Sequence, residues 1–229
     1  QTLLFSATIP DAIKQLSGWA LVDPVTIDTG GNRMPAETID HAIYPVDGIQ
    51  KYDLLLAMLR QMDYSSVLIF TRTKVEADRV TRWLIDHDLK VTTLHADRTQ
   101  REREESLKGF KANTYQIMVA TDIASRGLDI SDITHVINFS VPQHPEDYVH
   151  RIGRTGRASR DGEALTIFAT DEEGHLAAVE RYIGRPIERR KVEGFRYRNE
   201  PAIPSEAQPV RRRRNRGFGG SSSFGKRRR

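Results

Sequence analysis

Three arginines, a histidine and two glycines stand within the eight residues 150–157, HRIGRTGR. A guanidinium is a permanently charged fork of N–H donors that matches phosphate oxygens two at a time. Glycines between arginines let the backbone come close to what the side chains hold. The chemistry expected of such a stretch is the grip of an anion. Three further stretches have the same character. TDIASRGLDI, at 121–130, offers the hydroxyls of Thr121 and Ser125, a tight polar turn over Ser125, Arg126 and Gly127, and the nearby carboxylate of Asp129. Thr71-Arg72-Thr73 follows the apolar run SVLIF, and ADRTQRER sets Gln100 and Arg103 one helical turn apart. Each has a plainer reading taken alone. A Thr-Asp after a strand is more often a helix cap, and the arginines of 150–157 could pair with Glu146, Asp147 or Asp161. Jointly, hydroxyls, backbone N–H groups and arginines at several strand ends make a surface suited to successive phosphates.

Such a surface needs elements that carry those residues to one edge. Short apolar runs alternate with helix-period runs along the whole chain. Strands are expected over TLLFS (2–6), VTID (25–28), TIDHAIYPV (38–46), SVLIF (66–70), VTTLH (91–95), QIMVAT (116–121), THVINFS (134–140) and GEALTIFAT (162–170). Helices are expected over 11–21, 48–62, 74–87, 99–112, 145–152 and 171–183. In the second of these Ile49, Tyr52, Leu56 and Leu59 share one face; in the third Ala77, Val80 and Leu84 point inward. Pro145 near a first helical position, with Glu146 and Asp147 in the first turn, marks a helix start. The alternation predicts an α/β fold, a parallel sheet with helices on both faces. Ligands of such folds meet the loops at the C-terminal strand ends, and the singled-out residues follow Phe70, His95, Ala120 and Ser140.

Composition bounds the rest. The 229 residues carry a net charge of +4. Residues 185–229 hold 15 Lys+Arg against 4 Asp+Glu, a charge of +11, while 1–184 carry −7. An acidic body with a basic arm is the asymmetry expected where an arm holds a polyanion. RRRRNRGFGGSSSFGKRRR, at 211–229, cannot bury a core, so a disordered basic tail is expected over 200–229. The longest apolar run, LLLAML at 54–59, is far too short to cross a bilayer. No cysteine is present, which excludes disulfides and thiolate metal sites and fits a reducing compartment. Cytoplasmic location is expected. The chain enters at once into a strand-like run after Gln1, as a piece of a longer polypeptide would.

The stretches SAT (6–8), LIFTRTK (68–74), QRER (100–103), ATDIASRGLDI (120–130) and HRIGRTGR (150–157) together resemble motifs III, IV, IVa, V and VI of the DEAD-box RNA helicases, in that order. The likeness covers roughly residues 1–185. HRIGRTGR with its leading histidine is closer to this group than to the DEAH-type helicases, and the Arg/Gly tail is similar to those of bacterial RhlE-like members. One departure is HADRTQ (95–100), where the family more often has a pattern like HGDLSQ.

The resemblance implies two RecA-like domains with ATP, Mg2+ and RNA bound across their cleft. Residues 1–28 would end the first domain, 29–37 would link, and 38–199 would form the helicase C-terminal RecA-like domain. By the same resemblance Arg154 and Arg157 are arginine fingers, and His150 and Arg151 reach toward the acidic motif of the other domain. Gly127 and Asp129 join the two fingers in holding nucleotide, Asp129 through a ribose hydroxyl. Arg72, Thr73, Gln100, Arg103, Thr121 and Arg126 hold the RNA backbone, while Ser6 and Thr8 couple the nucleotide and RNA sites. No phosphate loop or DEAD box is present. GSSSFGK at 220–226 fits GxxxxGK but continues with Arg227, where Ser or Thr is needed for magnesium, and lacks the flanking strand and helix. This chain alone is therefore expected to be inactive as an ATPase. The alternatives are a stand-alone RNA-binding or regulatory module of the same fold and a DNA translocase; SAT and HRIGRTGR speak against the second.

Overall fold

A computed structural model describes residues 1–6, 11–27, 38–125, 133–156 and 161–199. Thr8, Arg126, Gly127, Asp129 and Arg157 lie outside the described residues, as do the linker expected over 29–37 and the tail expected over 200–229.

Seven strands form one sheet: β1 (Ile39–Pro45), β2 (Val67–Thr71), β3 (Val91–Leu94), β4 (Ile117–Thr121), β5 (His135–Asn138), β6 (Gly162–Phe168) and β7 (Glu188–Arg189). Their order is β3-β4-β2-β5-β6-β1-β7, and all pairings are parallel. The central strands are buried on both faces, so they read as continuous apolar runs rather than alternating ones. Successive side chains still part to opposite sides. Leu68 and Phe70 of β2, with Met118 and Ala120 of β4, join one core cluster. Val67, Ile69, Ile117 and Val119 join the other.

Helices cover both faces. α2 (Lys51–Gln61) and α3 (Lys74–Ile85) pack on one side through Leu54, Leu55, Met58, Ala77, Val80 and Leu84. α4 (Gln100–Lys111), α6 (Pro145–Ile152) and α7 (Glu173–Ile183) pack on the other through Phe110, Tyr148, Ile152, Leu176 and Val179. A single turn, α5 (Asp122–Ser125), follows β4, and α1 (Asp11–Ala20) precedes the sheet. No described helix is long and apolar enough to cross a membrane.

The single face expected of Ile49, Tyr52, Leu56 and Leu59 is corrected at its first member: Leu56 and Leu59 are buried, and Ile49 is exposed. It falls in a 3₁₀ turn, Gly48–Gln50, capped by the Asp47 carboxylate. The α-helical phase starts only at Lys51, and three residues per turn instead of 3.6 rotates Ile49 out of register with Leu55 and Met58. Residues 2–6 and 25–27 are not strands either. An apolar run becomes a strand only beside another that takes its backbone hydrogen bonds, and no described strand pairs with these. Leu3, Phe5, Trp19, Val22, Val25 and Ile27 are exposed. β7 is too short to show as a pattern in the sequence. It adds to the β1 edge, with Glu188 opposite Ala42 and Arg189 opposite Ile43.

Candidate functional site

Parallel pairing brings the C-terminal ends of β2, β4 and β5 side by side, and Arg151 of α6 fastens them together. Its Nε donates to Asp122 Oδ1 at 2.6 Å and its Nη2 to Asp122 Oδ2 at 2.7 Å. Its Nη1 donates to Asn138 Oδ1 at 3.2 Å and to the Ser140 carbonyl at 2.9 Å. The guanidinium also lies over the Phe70 ring, 5.2 Å from its centroid. Four of the five N–H donors of a guanidinium are thus engaged within one domain, and only 2% of the residue is exposed. In this chain the Arg151 guanidinium is spent on contacts within one domain. Its role is to position α6 against β4 and β5.

Beyond Arg151 the chain must turn tightly. Thr155 is buried and its hydroxyl is shared between the carbonyls of Ile133 and Thr134, at 2.6 and 2.9 Å. Gly156 has φ +67°, and a Cβ there would come within 2.5 Å of Ile39 Cγ1. Gly162 opens β6 so close to this turn that a Cβ would meet the Gly156 backbone nitrogen at 2.3 Å. Arg154, between the Arg151 anchor and the Thr155 anchor, is partly exposed. It lines a small cavity with Phe70, Asp122, Ser125, Asp147 and His150. The His150 ring lies 3.9 Å from the Asp147 carboxylate.

The end of β2 is organised by helix capping. The Thr73 hydroxyl accepts from the Glu76 N–H at 3.1 Å, which makes Thr73 the N-cap of α3 and leaves its own proton to give. The Glu76 carboxylate accepts from the Arg72 backbone N–H at 2.8 Å and from the Ser140 hydroxyl at 2.6 Å. The Arg72 side chain turns toward Glu172, donating from Nη2 to Oε1 at 2.9 Å. Thr121, partly exposed, closes β4.

After β3, Thr99 caps α4 in a reciprocal capping box with Glu102. Gln100 and Arg103 follow on the first turn. Gln100 Nε2 donates to Glu104, and Arg103 has no ion pair among the described residues. The departure at Arg98 has a structural use. Arg98 and the buried His95 both bond Asp78 Oδ1, at 2.8 and 3.0 Å, tying the β3–α4 loop to α3. Burial pushes the Asp78 carboxyl up, but these two partners outweigh it and hold it below the usual carboxylate range.

The family of the helicase conserved C-terminal domain matches residues 50–159. The E. coli DEAD-box protein SrmB, in its crystal structure with the regulator of ribonuclease activity A, superimposes with a TM-score of 0.66 at 32% identity; the match covers 73% of this chain and 98% of that one. The chain belongs to the DEAD-box family. Its sheet is the RecA-like sheet of that family's C-terminal domain. S. cerevisiae Dbp5 bound to RNA and ADP BeF3 matches with a TM-score of 0.72 and 29% identity, over 82% of this chain and 50% of that one. The DEAD-box ATP-dependent RNA helicase RhpA of Helicobacter pylori is 39% identical over 188 residues, which are 82% of this chain and 38% of the relative. The chain thus spans less than half the length of this curated relative.

In this DEAD-box domain Arg72, Thr73, Gln100, Arg103, Thr121, His150 and Arg154 all lie at or just beyond C-terminal strand ends or on the elements that follow them, on one edge of the sheet. Ser6 is exposed ahead of α1 and is not among them. Three residues escaped the sequence reading: Asn138, Glu76 and Glu172. The first two hold the ends of β5 and β2 through Arg151 and Ser140. Glu172 opens the helical run toward α7, where an acidic residue needs no special explanation. Nothing in its local sequence signals its burial at 3% exposure. Among the described residues no cluster of three or more His, Asp or Glu is placed to hold a metal ion.

Proposed function

We propose that this chain is the C-terminal part of an ATP-dependent RNA helicase, supplying arginine fingers and half of an RNA-binding surface for ATP-driven duplex unwinding or RNP remodelling. The observation that carries the reading is the double anchoring of the α6 end. Arg151 ties it to Asp122 and Thr155 ties it to the Ile133 and Thr134 carbonyls, so Arg154 leaves a rigid turn beside the strand ends. Phosphoryl transfer spreads charge over equatorial oxygens, and a pre-positioned guanidinium lowers that barrier without reorganising as charge develops. Arg154 and Arg157 act as the fingers, and His150 faces the same cleft. Gly127 and Asp129 contribute to the nucleotide site.

RNA backbone lies along Arg72, Thr73, Gln100, Arg103, Thr121 and Arg126. The Thr73 and Thr99 capped helix starts add backbone N–H groups and positive dipole ends to this surface. ATP and Mg2+ are held mainly by an N-terminal domain, in which Mg2+ would screen the phosphates; Ser6 and Thr8 couple the two sites. The protein works in the cytoplasm.

In the intact helicase, Arg154→Ala lowers single-turnover ATP hydrolysis by at least ~10³-fold and leaves RNA affinity without nucleotide nearly unchanged. Normal hydrolysis with weakened RNA binding would reverse the assignment. Residues 1–229 alone show no RNA-stimulated hydrolysis; turnover above background would remove the need for a second domain.

A further inference from the structure

Glu172 is a carboxylate that water scarcely reaches, at 3% exposure. A buried charge is tolerated only when paired and fully hydrogen-bonded, and here both oxygens are fully occupied. Oε2 accepts from Lys51 Nζ at 2.8 Å and from the Ala169 N–H at 3.1 Å. Oε1 accepts from Arg72 Nη2 at 2.9 Å and from the Val141 N–H at 3.1 Å. Two cations and two backbone amides satisfy it, and they come from α2, the β2–α3 junction, the chain after β5 and the chain after β6.

The geometry points to Glu172 as the positioning residue for Arg72 in RNA binding. This rests on the reading of Arg72 as a backbone contact. The Arg72 side chain is about a third exposed. Its Nη2 is taken by Glu172 at 2.9 Å and, more weakly, by the Val141 carbonyl at 3.5 Å, and its Nε is buried without a partner. Nη1 makes no bond among the described residues and is the donor left for a phosphate oxygen. A free arginine loses rotamer freedom when it binds; one already held by its other edge loses less. Releasing Arg72 from Glu172 therefore weakens its contact by about tenfold, the effect of losing most of one long side chain's rotamer entropy. The pair stands 100 positions apart in sequence, so the chain segment following HRIGRTGR sets the aim of the residue following β2.

The other cation separates positioning from mere support. Lys51 shares Glu172 but uses the opposite oxygen, and its side chain is nearly buried. Lys51→Met should lower the unfolding temperature and leave RNA affinity unchanged. Glu172→Gln strands the nearly buried Lys51 charge, so it is made both alone and in the Lys51→Met background, where that charge is gone and only the partly exposed Arg72 loses its carboxylate.

The test is a double-mutant cycle on the 229-residue chain, titrated with a fluorescent uridine oligonucleotide, with thermal unfolding measured on the same samples. Glu172→Gln should raise Kd about tenfold, Arg72→Ala should raise it at least as much, and the two together no further than Arg72→Ala alone. That non-additivity, present also in the Lys51→Met background, is what a purely structural Glu172 would not produce. Additive effects, or an unchanged Kd for Glu172→Gln while Arg72→Ala weakens binding, would overturn the positioning role and leave the RNA reading of Arg72 standing. An unchanged Kd for Arg72→Ala would overturn that reading and the inference with it.

Discussion

Arg151 and Asp122 meet through two parallel hydrogen bonds, 2.6 and 2.7 Å long, although 29 positions separate them in the chain. The pair joins the end of α6 to the start of α5, so the turn bearing Arg154 and the α5 turn at the end of β4 move as one body. Removing one partner of a buried ion pair leaves the other uncompensated, at about 3–5 kcal/mol. Arg151→Ala should reach that range, since it also strands Asn138 Oδ1 and the Ser140 carbonyl. Asp122→Asn should cost less, because a quarter of the Asp122 side chain already meets water. Urea unfolding of the two variants measures the difference.

Gly156 tolerates no side chain. Its φ of +67° disfavours any L residue, and the Cβ would press on Ile39. Gly156→Ala should destabilise by about 1–3 kcal/mol. Gly162→Ala should cost more, because the atom it meets is backbone nitrogen and cannot swing aside. Thermal unfolding of both variants gives the order.

Stability should fall on mild acidification. Burial holds the His41 pKa below its ordinary value of about 6.5, and Arg185 and Arg190 add to this against the opposing Asp40; the ring also bonds Tyr148 Oη at 3.0 Å. Burial lowers His135 likewise, against Glu163 and Asp63. Each folded histidine thus binds fewer protons than its unfolded form between its depressed pKa and about 6.5. Stability is lost as pH drops through that window and levels off below the folded values. The contribution of Asp40, whose carboxyl is held low by Arg190, is lost only in the carboxylate range below. Urea midpoints at pH 7.5 and 5.5, compared with those of His41→Gln and His135→Gln, should show a smaller drop in each variant.

The basic arm should govern salt dependence. Residues 211–229 hold nine Lys/Arg and two aromatics, Phe218 and Phe224, so electrostatics outweigh stacking. Single-stranded RNA affinity falls with a log–log salt slope of about −0.7 per phosphate neutralised. An arm engaging about five phosphates contributes roughly 3 to 4 units of slope. A full-length protein ending at Asn199 should lose that much, and equal slopes would reduce the arm to a solubilising appendage.

The sequence by itself determined the parallel α/β fold, the helix starts near Lys74, Thr99 and Pro145, and the strand ends that the candidate residues follow. Those features are local: a capping hydroxyl, a proline at a first helical position and runs of β-branched residues act within a few positions of themselves. HRIGRTGR stood out as a dense cluster of arginines and glycines for the same reason. Only the tertiary structure decided which of its arginines faces inward. Arg151 and Arg154 are three positions apart and chemically identical, and what separates them is Asp122, Asn138 and Ser140, which parallel strand pairing brings under one face of α6. Arg72 and Glu172 are a second case. Neither position predicts the other, because their meeting depends on the ends of β2 and β6 lying on the same edge of the sheet. Ile49 failed for a smaller reason of the same kind: the helical period was right, but the phase was set by the 3₁₀ turn capped by Asp47. A sequence carries periodicity along the chain, whereas burial of a charge depends on partners that only the assembled sheet provides.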